Sequence, residues 1–164
     1  MKNVQNEFIR SILNPFKFKM FLLKSLPLAY VAGLKVRSLN EDSASVSLKY
    51  GYFTKNPFRS IYFACMNMAA ELSTGVLAMM WVYKSDPAIS MLITGNEARF
   101  LKKATGTVMF TCSSGKEIFN IVQKAKTSGL GETIRVASIG KDESGEIVAE
   151  IFFTWSFKVK VKKN

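Results

Sequence analysis

Histidine is absent from the 164 residues. That excludes a Ser-His-Asp triad, a Cys-His pair and any imidazole-ligated metal, so no metal site is expected. Cysteine occurs only as Cys65 and Cys112, too few for a disulfide framework or a zinc cage. Both read as buried, reduced thiols, as in a cytoplasmic protein. Four prolines and ten glycines form no linker-like or collagen-like stretch, and no solenoid period is visible. Acidic residues are scarce: 12 Asp+Glu face 23 Lys+Arg, a net charge of +11 and a pI near 9.7. Such a balance suits an anionic partner, whether nucleic acid, an acidic membrane surface or a polyphosphorylated small molecule, and equally a surface charged for solubility. What is abundant is apolar mass. Hydrophobic residues make up 48% of the chain and Phe occurs 13 times, enough for one domain with a real core.

No signal peptide is expected. Met1 to Glu7 lacks a continuous apolar run and a small-residue cleavage site. Ile61 to Val82 contains a single charge, Glu71. Its length would allow a membrane span, but Asn67, Glu71, Ser73 and Thr74 lie in its middle, where an acidic residue costs about 2.5–3.5 kcal/mol. A buried helix of a globular core is the expected reading. In residues 1–30, Val4, Phe8, Ile9, Ile12, Leu13 and Phe16 recur at helical spacing, interrupted at Pro15, and lysines mix with aromatics from Phe16 to Lys24. This describes either a helical lid packed on the domain or a basic amphipathic surface for an anionic bilayer.

Further on, Leu34–Leu39 and Ala44–Tyr50 read as a hairpin about Asn40-Glu41-Asp42. Ser60 is a candidate N-cap for a helix reaching about Met80. The alternation from Ile89 continues to about Lys103, with Gly95 a candidate bulge. A strand at 107–112 and a short helix follow, the helix ending at Gly129 with Ile118, Phe119, Val122 and Ala125 on one face. Ile134 and Val136 mark another strand. From Ile147 to Val161 every second residue is apolar, with Lys158, Lys160 and Lys162 on the other face and Val148 and Phe152 as exceptions. The expected fold is α+β: a strongly curved antiparallel sheet around one long apolar helix, covered on its far side by a second copy. The division is a helical segment, 1–30, and a domain, 31–164.

Glu71 is the most informative residue. Alone in an uncharged helix, it lies four residues after Asn67 and three before Thr74, so the three share a polar stripe. That stripe is either ordinary polar surface at a seam or a catalytic or ligand-orienting carboxylate in a pocket, with burial raising its pKa.

The stretch Asn56-Pro57-Phe58-Arg59-Ser60-Ile61-Tyr62-Phe63-Ala64 followed by Glu71 resembles the hotdog-fold acyl-CoA thioesterases, in the phenylacetyl-CoA thioesterase-like branch. That branch carries an Asn, then a His-Gly-Gly, then an acidic residue nine past the His. Asn56 and Glu71 occupy the Asn and acidic positions, while Tyr62 replaces the His and Phe63-Ala64 the Gly-Gly. Phe100-Leu101-Lys102-Lys103-Ala104 before Gly106 resembles the family's long-strand motif, and Ser144 to Phe157 its last hairpin. The likeness covers residues 30–158.

The resemblance implies a hotdog homodimer, or a tetramer built as a dimer of dimers, that hydrolyses an acyl-CoA or related thioester in a tunnel between the central helices of two subunits. Coenzyme A enters as part of the substrate, and no cofactor is implied. Glu71 would be general base or nucleophile, with Asn56 positioning water or the carbonyl. Helix-start N–H groups near Phe63 and Ala64 would receive the oxyanion. Tyr62, Asn67 and Thr74 would line the substrate site, and Arg99, Lys102 and Lys103 are candidates for the coenzyme A phosphates. The altered Tyr62-Phe63-Ala64 motif keeps open a non-catalytic acyl- or lipid-binding module. A nucleic-acid binder rests on net charge alone, without a recognised basic-aromatic motif.

Overall fold

The structure, a computed structural model, describes residues 2–160. Val161 and Lys162, expected at the end of the last strand, lie outside the described residues. Three helices come first: α1 (Lys2–Leu13), α2 (Pro15–Ser25) and α3 (Pro27–Val31). A hairpin of β1 (Lys35–Leu39) and β2 (Ala44–Lys49) leads to the central helix α4 (Phe63–Val82). Then follow β3 (Ile89–Phe100), β4 (Thr107–Cys112), α5 (Gly115–Ser128), β5 (Glu132–Lys141) and β6 (Ile147–Val159). The six strands form one antiparallel sheet in the order β1-β2-β4-β5-β6-β3, wrapped around α4. This is the α+β hotdog fold. Its element order is the one the hydrophobic periods predict.

The central helix is apolar on nearly every side because it is enclosed on nearly every side. Ala69, Val76, Leu77, Ala78 and Met80 are all without solvent contact. By length and composition α4 would cross a membrane, yet 67% of that stretch is buried within the protein. Its two innermost hydroxyls are used as ties. Ser73 Oγ lies 2.8 Å from Ser138 Oγ on β5, and Thr74 Oγ1 accepts the indole N–H of Trp155 on β6 at 3.0 Å. Buried polar groups are tolerated when paired in this way.

The helix starts later than Ser60. Ile61 N–H donates to Ala104 C=O at 2.8 Å and Tyr62 N–H to Thr54 C=O at 2.7 Å, which holds both residues extended. Tyr62 (φ −65°, ψ 132°) takes the N-cap position without a side-chain bond. Ser60 instead bonds Asn56.

Strand β6 keeps its expected alternation from Ala149 to Phe157. At its start Val148 is buried and Ile147 is partly exposed, the reverse of the period. The outward ring of Phe152 lies under two cations, with the Arg135 guanidinium carbon at 3.9 Å and that of Arg99 at 5.7 Å. Gly95 does mark a register slip, between Ile93 and Gly95 against β6. Helix α5 ends at Gly129, whose φ of 69° is open to glycine at little cost.

The first helix breaks at Asn14-Pro15. Asn14 Oδ1 accepts the N–H groups of Phe16 (3.1 Å) and Lys17 (3.0 Å), starting α2 anew. The break redirects the apolar stripe: Phe8 and Ile12 are buried, whereas Phe16 points outward. Glu7 closes α1 onto the end of α4 through an ion pair with Lys84 at 2.8 Å.

Candidate functional site

Glu71 sits on the third turn of α4, half-buried. Its carboxylate has no ion pair or side-chain hydrogen bond among the described residues. Glu71 lines an apolar hollow of about 270 Å³ walled by Ser25 to Ala29 at the α2–α3 junction and by Met68 and Leu72. Loss of hydration pushes its pKa upward, the expected direction for a carboxyl without a partner. Gly75, one turn on, makes room for it: a Cβ there would lie 3.1 Å from Glu71 Oε1. A glycine inside a helix costs about 0.5–1 kcal/mol relative to alanine, so its position under the carboxylate has a steric reason.

Asn67, one turn before Glu71, donates from Nδ2 to Phe63 C=O at 3.2 Å. Its Oδ1 is buried without a partner. Thr74, one turn after, gives its hydroxyl proton to Glu71 C=O at 2.9 Å and holds Trp155. The polar stripe therefore exists, but Thr74 is turned into the core.

A second hollow, about 540 Å³, lies at the start of α4 and collects Asn56, Tyr62, Phe63, Phe100, Lys102 and Lys103. Tyr62 and Phe63 are about half exposed, with rings 4.9 Å apart, and Phe63 leans on Phe100 at 6.1 Å. Among the described residues no acceptor is recorded for the N–H groups of Phe63 and Ala64. These are the free donors at the positive end of the helix. Asn56 is occupied in shaping the loop that delivers them. Its Oδ1 accepts from Phe58 N–H (2.9 Å) and Ser60 N–H (3.2 Å), and its Nδ2 donates to Ser60 Oγ (3.0 Å).

Within one chain, then, Glu71 and Asn56 open onto different hollows. Glu71 lies eight positions after Phe63, about 12 Å along a helix axis. The basic candidates also differ among themselves. Arg99 pairs with Glu97 (3.1 Å), which also holds Arg135 (2.6 Å). Lys102 is bonded to Asp142 (2.9 Å) and to Glu146. The Ser144 hydroxyl and Lys102 hold the Asp142 carboxyl well below the usual carboxylate range. Lys103 is exposed and has no ion pair among the described residues. Both cysteines are buried and their thiols are pushed up in pKa by desolvation, so neither is an activated nucleophile. No group of three or more Cys, Asp or Glu side chains able to hold a metal is found among the described residues.

Sequence reasoning missed the wall formed by residues 25–29 and the space under Gly75. The glycine carried a signal, being a poor helix former four residues after the lone charge. The wall carried none, because no local pattern tells where an amphipathic helix docks.

The fold is similar to several solved structures at low identity. A Pseudomonas aeruginosa protein of unknown function, named a probable thioesterase, is 19% identical with a TM-score of 0.75, over 89% of this chain and 97% of that one. A Chlorobaculum tepidum protein of unknown function is 12% identical with a TM-score of 0.74, over 90% and 98%. A Haemophilus influenzae thioesterase is 11% identical with a TM-score of 0.61, over 88% and 92%. No curated protein matches the chain. The model of one family, described as "Domain of unknown function (DUF4442)", matches residues 16–157, and the chain belongs to that family.

Proposed function

We propose that this protein hydrolyses an acyl-CoA or a related acyl thioester to the free acid and thiol. The observation that carries the reading is Glu71, whose carboxylate is unpaired among the described residues and which lines an apolar hollow. As a base, Glu71 takes a proton from water while the water oxygen attacks the thioester carbonyl carbon. The C–S bond then breaks, and the proton passes to the departing thiolate. As a nucleophile, its carboxylate oxygen would bond the carbonyl carbon as the C–S bond breaks and the thiolate leaves to take a proton from water, and a second water would cleave the mixed anhydride to the free acid and restore Glu71. The Phe63 and Ala64 N–H groups supply the oxyanion donors, and the orphaned Asn67 Oδ1 is an acceptor for water or a substrate N–H.

The separation of about 12 Å along α4 supports a site in which the donors and the carboxylate serving one carbonyl come from different protomers. This favours a homodimer, or a pair of dimers, with the acyl chain lying between two copies of α4. The free outer edge of β3 in the sheet fits such pairing. Lys103 is the first candidate for a coenzyme A phosphate, and Arg99 and Lys102 would first have to leave their carboxylates. The same reading places the protein in the cytoplasm and makes residues 1–30 a helical wall added to the domain at 31–164.

A mixed chain-length panel of acyl-CoA esters tests the proposal by release of free thiol. Turnover of at least one ester, lowered about a hundredfold or more in Glu71→Gln, supports it. A second reading, a non-catalytic acyl-binding protein, is favoured by the engagement of Asn56 in its own loop. A silent panel with fatty acyl ligands co-purifying would establish that one and end the first.

A further inference from the structure

The outer side of the N-terminal helices carries an unpartnered apolar surface. On α2, Phe16 is 74% exposed, Met20 50% and Leu23 51%. They stand at i, i+4 and i+7, so they form one stripe, opposite the buried Phe18 and Leu22. Lys17 and Lys24, seven apart, run along one side of the stripe, and Lys19 lies on the other. On α3, Leu28 is 73% exposed as well, at the mouth of the hollow beside Glu71. Between Glu7 and Glu41 the sequence holds six cations and no acidic residue.

Behind α2 a groove of about 660 Å³ runs to the edge strand β1. Phe18, Leu22 and Leu34 form its floor, and Lys19, Lys35 and Arg37 its basic members. Ser47 Oγ accepts Arg37 Nε–H at 2.8 Å, which fixes the guanidinium. No acidic residue lines the groove. Its volume lies in the range of small-molecule sites, about 300–1,000 Å³.

We propose that this face, the outer side of α2 and α3, docks on the surface of an anionic phospholipid leaflet. The apolar stripe enters the headgroup boundary and the flanking lysines reach lipid phosphates with their stems along the stripe, while Lys35 and Arg37 of the groove add to the positive field that draws an anionic surface. The charge argues for lipid over a second copy of the chain: Glu7, the carboxylate beside Lys17, is already paired with Lys84, and two such faces would oppose cations to cations. The proposal goes beyond thioester hydrolysis and makes no use of Glu71.

The test is sedimentation of the full chain with large unilamellar vesicles, either phosphatidylglycerol mixed equally with phosphatidylcholine or phosphatidylcholine alone. Binding is expected to the anionic vesicles only, and to weaken as salt rises. The triple variant Lys17→Gln, Lys19→Gln, Lys24→Gln loses affinity about a hundredfold, at roughly fivefold per lysine. Phe16→Ser with Leu23→Ser lowers binding while the melting curve holds, because both side chains are solvent-exposed. No sedimentation with anionic vesicles, or binding unaltered in both variants, overturns the proposal. So does light scattering that shows the Phe16→Ser, Leu23→Ser pair splitting an oligomer, since the face would then be a subunit seam.

Discussion

A carboxylate buried beside an apolar hollow, with no cation paired to it among the described residues, is held against its own hydration, and the protonation of Glu71 therefore couples to folding. Burial raises its folded pKa above the ordinary 4.5. The folded chain then binds the proton more tightly than the unfolded chain, so the contribution to stability is complete below about pH 4.5 and is lost as pH rises through the elevated value. Glu71→Gln stays neutral throughout. It is expected to melt with the parent near pH 4 and at a higher temperature than the parent toward pH 8, as read by circular dichroism. Parallel curves would show that the group titrates normally. The same ionisation makes thiol release rise with pH, with a midpoint above 4.5. Glu71 was legible in the sequence because a lone charge in an apolar helix needs a reason. The bonding of Asn56 was not: a short motif names a residue but cannot show whether its amide turns to a ligand or to its own loop.

At the scale of elements, most of the fold could be read from periodicity, since the wrapping of the sheet leaves β6 and α4 with clean patterns. The exceptions have tertiary causes. Ser60 looks like a helix cap, but hydrogen bonds from Ile61 and Tyr62 to the loop residues Ala104 and Thr54 keep the chain extended for two residues more. The start of α5 shows the same override. Gly115 lies against the turn between β1 and β2, where an added Cβ would come within 2.8 Å of the Asp42 backbone. Helix propensity alone favours Gly115→Ala. The contact with rigid backbone opposes it, and destabilisation of about 1–3 kcal/mol is expected from overpacking. Urea unfolding decides between the two, because a stabilised variant would mean that α5 shifts freely.

The whole molecule is less modular than a division at residue 30 implies. Phe8, Ile12, Phe18 and Leu22 join the same core as α4 and the sheet, and each contributes about 1.5–3 kcal/mol by burial. Against a total stability of about 5–15 kcal/mol for an ordinary domain, deleting residues 1–31 is expected to leave a chain that is unfolded or molten at 25 °C. Near-ultraviolet circular dichroism would register this, and a native-like spectrum would show that the helices are dispensable. Intact protein is expected to run as a dimer by light scattering, at twice 18.3 kDa. The curvature of the sheet is legible in the long alternating β6 and the lone apolar α4, and α1 in the spacing of Phe8, Ile9 and Ile12, whereas the strand order and the surfaces on which α1 and α2 dock depend on distant parts of the chain.

The enclosure of α4 has a further bearing on how the chain is made. A ribosome releases this greasiest segment early, while β6, the last strand to enclose it, ends roughly 75 residues later. At about 5–20 residues per second the helix waits some seconds without its cover. During that interval the nascent chain presents a stretch that both chaperones and the insertion machinery of a membrane are built to recognise, and its fate rests on which of them arrives before the closing strands.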